Sequence, residues 1–247
     1  MFSETTPSGS VVLELVGVSV EVGDVEVLHE VDLTIRSGEL HVLFGRNGSG
    51  KSSLLAAVMG LHPYRITSGQ IRLFGESLED VTVSERARRG IGMAFQDPPE
   101  LEGVSVDALA NALEASDRLS DAETALHLDG FRDRPVNVGF SGGEKKRWEI
   151  CKLFLRRPSL LLLDEPEGGV DLEHAAVIGD AIALLLEPGA TELDAAPAGL
   201  VVSHTGSILD RLPAHIGHLL VDGRLVHSGD AGELFDHIRR GGYRAPA

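Results

Sequence analysis

Apolar and polar positions alternate along the first part of the chain, and this period of two predicts strands over Val11–Val20, Val25–Leu28 and Val31–Ile35. Gly23-Asp24 and Ser37-Gly38 punctuate them as turns, so an antiparallel β layer is expected. The pattern then shifts. A short apolar run, Leu40–Phe44, leads into a glycine-rich stretch, Gly45 to Gly50, and then into a helical repeat over Lys51–Met59. Further strands are predicted at Gln70–Phe74, Ile91–Phe95, Leu160–Leu163, Leu200–Ser203, Gly217–Val221 and Arg224–Val226. The unbroken apolar runs among these suit a parallel sheet covered on both faces.

Between Asp97 and Pro158 the pattern reads as helices, over Val106–Ala115, Asp121–Leu128 and Gly142–Arg156. A last helix, Ala231–Arg240, carries a capping signal in Asp230 and Glu233. The segment Glu187 to Gly199 has Pro, Gly and Ala without periodicity and is expected to be a mobile surface loop. The expected organisation is therefore a flexible tail over 1–10, an α/β core with its β layer over 11–96 and 158–247, and an inserted helical subdomain over 97–157.

Composition narrows the possible functions. No run approaches the roughly 18 apolar residues of a membrane span, and the polar start lacks an apolar signal core, so a cytoplasmic protein without direct membrane insertion is expected. The formal net charge of -16 argues against nucleic acid as a partner, because gripping a phosphate backbone needs clustered Lys and Arg. Lysine occurs only as Lys51, Lys145, Lys146 and Lys152. An acidic, lysine-poor surface suits a salty cytoplasm, where like charges are screened. The lone Cys151 can form no intrachain disulfide, nor supply by itself the thiolates of an iron-sulfur cluster. It reads as a small apolar residue on a packed helix.

The run Gly45-Arg46-Asn47-Gly48-Ser49-Gly50-Lys51-Ser52, followed by Ser53, has the P-loop pattern between a predicted strand and a predicted helix. Its glycines let successive N–H groups face phosphate oxygens, and the helix adds the positive end of its dipole. Lys51 is expected to reach the β- and γ-phosphates of ATP, and the Ser52 hydroxyl to ligate Mg²⁺. Arg46 either adds charge beside the phosphates or points to solvent.

Four leucines then two carboxylates, Leu160 to Glu165, form a second signal. Acids directly after a buried strand call for a divalent cation and a water: Asp164 on Mg²⁺, Glu165 polarising the water that attacks the γ-phosphorus. Gln96, directly after a predicted strand, can reach the metal and the water by its amide oxygen, and His204, directly after another, is placed to contact the γ-phosphate or to orient Glu165.

Phe140-Ser141-Gly142-Gly143-Glu144 resembles the signature of ATP-binding-cassette (ABC) ATPases. The resemblance implies that two chains pair head to tail, with Ser141, Gly142, Gly143 and Glu144 of one chain facing the nucleotide on the P-loop of the other, and with Asp171 in the loop between the sites. Within the cassettes, Gly92 to Glu100, Gly103-Val104-Ser105, Glu144-Lys145-Lys146-Arg147 and Gly223 to Asp230 resemble the SufC family over about Val11 to Tyr243. That likeness implies an ATPase that docks on a SufB/SufD-type scaffold and forms a transient, ATP-dependent homodimer to reshape the place where an iron-sulfur cluster is built. The alternative is the ATPase subunit of a membrane transporter.

The chain departs from the family in three places. No aromatic stands near Val20 to Val22 to stack on adenine. Trp148-Glu149-Ile150 differs from the usual signature helix, and the Glu187 to Gly199 loop is longer. Lys145 or Lys146 is either a latch that pairs with Glu165 in the resting monomer or an ordinary solvated lysine.

Overall fold

The computed structural model describes residues 9–191, 196–203, 207–212 and 214–246. Strands β1 (Val11–Val22) and β2 (Val25–Arg36) pair antiparallel through the Gly23-Asp24 turn. The two strands expected over Val25–Leu28 and Val31–Ile35 are one. Glu30 turns inside β2 at φ +48°, its N–H donating to Ser19 Oγ at 3.1 Å, and pairing resumes beyond it. Most of the tail expected over 1–10 lies outside the described residues, but Gly9 and Ser10 are tied down. The Ser10 carbonyl accepts from Ser37 N–H at 2.9 Å and the Gly9 carbonyl from Arg36 at 3.0 Å.

Strand β3 (Leu40–Phe44) and helix α1 (Lys51–Met59) take the predicted bounds, with the glycine-rich run between them. Strand β4 (Tyr64–Leu73) begins earlier than the expected Gln70 because it pairs with β1 along its length, and β5 (Glu76–Ser77) completes a four-stranded layer in the order β2-β1-β4-β5. Helix α2 (Val83–Arg88), capped by Thr82, was not legible as a repeat because it is six residues of mostly polar sequence. Its Arg86 is buried and donates to the Ala57 and Val58 carbonyls at 3.0 and 2.8 Å, satisfying the C-terminal end of α1.

After β6 (Ile91–Ala94) the expectation of helices alone is corrected by a small ribbon of β7 (Leu101–Ser105) and β8 (Pro135–Val136). These strands are short and β7 is exposed, so neither shows alternation. Helix α3 (Val106–Ala112) stops before the expected Ala115, where Glu114 adopts φ +54°. Helix α4 (Ser116–Leu126) starts and ends earlier than expected, and α5 (Gly142–Arg156) has the predicted bounds. Strand β9 (Leu160–Asp164) precedes α6 (Leu172–Leu185), which the apolar count on all sides had hidden. Strand β10 (Ala198–Val202) takes Ala198 and Gly199 out of the expected loop; residues 192–195 of that loop lie outside the described residues. The hairpin β11 (Ile216–Val221) and β12 (Arg224–Asp230) and helix α7 (Ala231–Gly241) follow, with Asp230 Oδ1 accepting from Glu233 N–H at 2.9 Å.

The second sheet has six strands in the order β12-β11-β3-β10-β9-β6, parallel except for β12. The four leucines of β9 show why its sequence is apolar throughout. Leu161 and Leu163 enter the core shared with α5 and α6, while Leu160 and Leu162 enter the core shared with α1 and the β layer. Burying each such side chain contributes about 1.5–3 kcal/mol. Because β3, β6, β9 and β10 run parallel, the loops that follow them emerge at one edge, where ligands bind in open α/β sheets.

Candidate functional site

The loop after β3 is shaped by close backbone approaches. A Cβ at Gly45 would stand 2.5 Å from the Leu220 carbonyl oxygen, and Gly50 adopts φ +103° with β2 packed against it. Gly223 N–H donates to the Ser49 carbonyl at 3.0 Å and the Gly223 carbonyl accepts from His29 N–H at 2.9 Å, so β2, the loop and the β11–β12 turn are stitched together. Within this frame Lys51 is buried and its Nζ donates to the Gly45 and Arg46 carbonyls at 2.8 and 2.9 Å. Burial lowers the Lys51 pKa, opposed by Glu165 and Asp164. Arg46 itself is exposed, in keeping with the solvent-facing alternative.

Ser52 Oγ donates to Asp164 Oδ1 at 3.1 Å, joining the start of α1 to the end of β9. Asp164 is buried, and desolvation raises its pKa, with Ser52 acting in the opposite sense. A hydroxyl, a carboxylate short of solvent and the nearby Gln96 amide form an all-oxygen donor set that fits a hard cation such as Mg²⁺.

Glu165 is held at φ +48°, a conformation costly for a residue with a side chain. Backbone bonds to described residues hold it there. Its N–H donates to the Val202 carbonyl at 3.1 Å, and its carbonyl accepts from Gly168 N–H at 3.0 Å and from Lys146 Nζ at 2.9 Å. Its Oε2 accepts from Gln96 Nε2 at 3.1 Å. A cleft of about 350 Å³ is lined by Val27, Asn47, Gly48, Gly50, Lys51, Ser52, Ser53, Gln96 and Glu165. Among the described residues no aromatic lines it, in keeping with the missing aromatic near Val20 to Val22. His204, the remaining predicted member, lies outside the described residues.

The signature stands apart from this cleft. Ser141 and Gly142 are exposed at the start of α5. Ser141 Oγ accepts from Glu144 N–H at 3.2 Å while Glu144 Oε2 accepts from Ser141 N–H at 2.8 Å, a reciprocal capping box. Asp171 caps α6 by accepting from His174 N–H at 2.9 Å, and Gly143 packs against the His174 ring, so the signature and the Asp171 loop are neighbours.

Sequence reasoning missed two supports. Arg134 lies over the edge-to-face rings of Phe131 and Phe140, 4.4 and 4.5 Å from their centroids, with Glu144 Oε2 at 3.7 Å. Lys145 pairs with Glu100 at 2.9 Å, while Lys146 bonds to the Glu165 carbonyl.

A family profile described as ABC transporter matches residues 28–168. The probable ATP-dependent transporter SufC of Escherichia coli is 36% identical over 88% of this chain and 92% of its own length. A probable ABC transporter ATP-binding protein of Streptococcus pyogenes is 36% identical over 94% of this chain and 93% of its own. Among solved structures, a nucleotide-free ATP-binding cassette from an ABC transporter superposes with a TM-score of 0.76 at 19% identity, covering 96% of this chain and all of that one, a likeness of fold. Among the described residues no helix is long and apolar enough to cross a membrane.

Proposed function

This chain belongs to the ATP-binding-cassette (ABC transporter) family of ATPases, and on that premise we propose that it is the ATP-hydrolysing subunit of a cytoplasmic iron-sulfur cluster assembly complex. Two copies close head to tail on ATP and thereby remodel a SufB/SufD-type scaffold. The observation that carries the reading is the run Ser141 to Arg147. Its serine is exposed for another chain's nucleotide, while its lysines bind back onto this chain's own loops, Lys145 to Glu100 and Lys146 to Glu165.

In this reading residues 11–96 and 158–247 act as the ATPase core and 97–157 as the arm that carries the signature. The amides of Gly45 to Ser53 cradle the phosphates, and Lys51 exchanges its two loop carbonyls for phosphate oxygens. Ser52, Asp164 and Gln96 would hold Mg²⁺, which would neutralise phosphate charge. Glu165 takes a proton from the attacking water, with Gln96 and His204 orienting that water and the γ-phosphate. Ser141, Gly142 and Gly143 of the mate complete the cage at a helix N-terminus, and Asp171 lies between the two sites.

Affinity purification of the untagged partners from the native source tests the assignment. Recovery of soluble scaffold proteins that raise phosphate release supports it, while recovery of a membrane permease in their place favours the transporter reading, to which the names of relatives such as the S. pyogenes protein also point.

A further inference from the structure

Glu149 lies on α5, two turns beyond the signature, and it is 1% exposed. A carboxylate so deeply buried is costly unless it is paired and hydrogen-bonded. One oxygen is hydrogen-bonded and the other is ion-paired. Its Oε2 accepts from the backbone N–H of Phe95 at 2.9 Å, and Lys152 Nζ, one turn along the helix, stands 2.5 Å from Oε1. The same Lys152 lies 5.9 Å from the centroid of the Phe95 ring. Phe95 is the first residue past β6, so this N–H has left the sheet ladder and needs another acceptor. The residue after it is Gln96, whose amide holds the Glu165 carboxylate.

We propose that Glu149, with Lys152 as its counter-charge, is a positioning residue for ATP hydrolysis: it fixes the peptide from which Gln96 projects and so sets the distance between Gln96 and Glu165. The inference rests on the reading of Gln96 and Glu165 as the hydrolytic pair. Two side chains one turn apart on α5 thus reach the segments that carry the pair, Lys146 at the Glu165 carbonyl and Glu149 at the Phe95 N–H. The helix whose N-terminus carries Ser141 is thereby joined by charged hydrogen bonds to both groups that manage the attacking water. Glu149 does not line the cleft. Its removal therefore acts chiefly on the chemical step, because the phosphate cradle Gly45 to Ser53 is left untouched.

The wild-type full chain provides the first test. Amide hydrogen exchange of Phe95 should be as slow as that of the β6 amides, although Phe95 lies beyond the strand; exchange at the rate of a free loop overturns the proposal. The second test is steady-state phosphate release together with equilibrium binding of a fluorescent ATP analogue. Glu149→Met keeps the volume but removes the acceptor, and should lower kcat about tenfold with KM and nucleotide affinity changed less than about twofold. Glu149→Gln retains an acceptor for the Phe95 N–H and should recover most of the loss. Combined with Gln96→Ala, Glu149→Met should cause little further loss, because both act through one group.

Undiminished kcat in a folded Glu149→Met, equal loss in the Gln variant, or fully multiplicative losses with Gln96→Ala each contradict it. If Glu149→Met does not fold, the wild-type exchange rate and the Gln variant decide. Glu165→Gln separates the two levels: if that variant still turns over, the assignment of the hydrolytic pair is wrong, whereas if it is inactive and Glu149→Met is fully active, only the positioning role is wrong.

Discussion

Lys146 Nζ donates to the Glu165 carbonyl at 2.9 Å, bonding the signature helix to the backbone of the first residue past β9. The lysine is buried, and desolvation lowers its pKa, with Asp164 and Glu165 acting in the opposite sense. A charged hydrogen bond of this kind contributes about 1.5–3 kcal/mol and keeps Glu165 in its left-handed conformation. Movement of the arm that carries Ser141 must break it or carry it along.

Lys146→Met should therefore raise basal phosphate release from the isolated chain several-fold, as the resting arrangement loses its tie. Lys145→Ala, which removes only the half-exposed pair with Glu100, should leave it unchanged. Unchanged or lower turnover in Lys146→Met would mean that this bond is no latch.

Acid should weaken the fold through two buried histidines. His41 Nδ1 and His218 Nε2 are 2.8 Å apart, with Glu39 Oε2 3.1 Å from the other His41 nitrogen and Ser228 Oγ 2.7 Å from the other His218 nitrogen. Burial lowers both pKa values, that of His218 to about 3. The unfolded chain then binds protons that the folded chain refuses. For His218 stability is fully present above the ordinary imidazole value and declines as pH falls from about 6.5 towards 3, by up to about 1.4 kcal/mol per pH unit, and His41 adds to the decline in the same direction. Urea midpoints measured between pH 7.5 and 5 should fall more steeply for the wild type than for His218→Gln. Parallel curves would contradict this.

Cys151 should resist thiol reagents in the native protein. Its side chain is fully buried in the core shared by α5 and α6, and burial pushes its thiol pKa up, so almost no thiolate is present at neutral pH. One equivalent should react only after denaturation. Rapid native labelling would show that α5 opens readily enough to expose the thiol.

The net charge of -16 predicts a melting temperature that rises between low and molar salt as repulsion among surface carboxylates is screened. Indifference to salt would remove the case for a saline habitat.

Residues whose chemistry is local were legible in the sequence. Gly45 to Ser52 needs small residues in a fixed order, and β9 needs four apolar side chains because both its faces are covered, so each leaves a linear trace. Ser141 and Glu144 likewise announce a helix start, and α5 has the predicted bounds. What stayed hidden depends on contacts far apart in the chain. Arg134 reads as one arginine among many until Phe131 and Phe140 are brought beneath it, and Glu149 reads as a helix carboxylate until α5 packs against the end of β6. The β7–β8 ribbon escaped for another reason: its strands are too short and too exposed for burial to impose a period of two.

The central claim is that nucleotide is enclosed between the phosphate cradle of one chain and Ser141 of another, and sedimentation of Glu165→Gln tests it most directly. With Mg²⁺ and ATP this variant should sediment at twice the chain mass of 26.3 kDa; with ADP, or with Ser141→Arg added, it should stay at the single-chain mass. A species that remains single under saturating ATP, or pairs regardless of Ser141, would contradict the account.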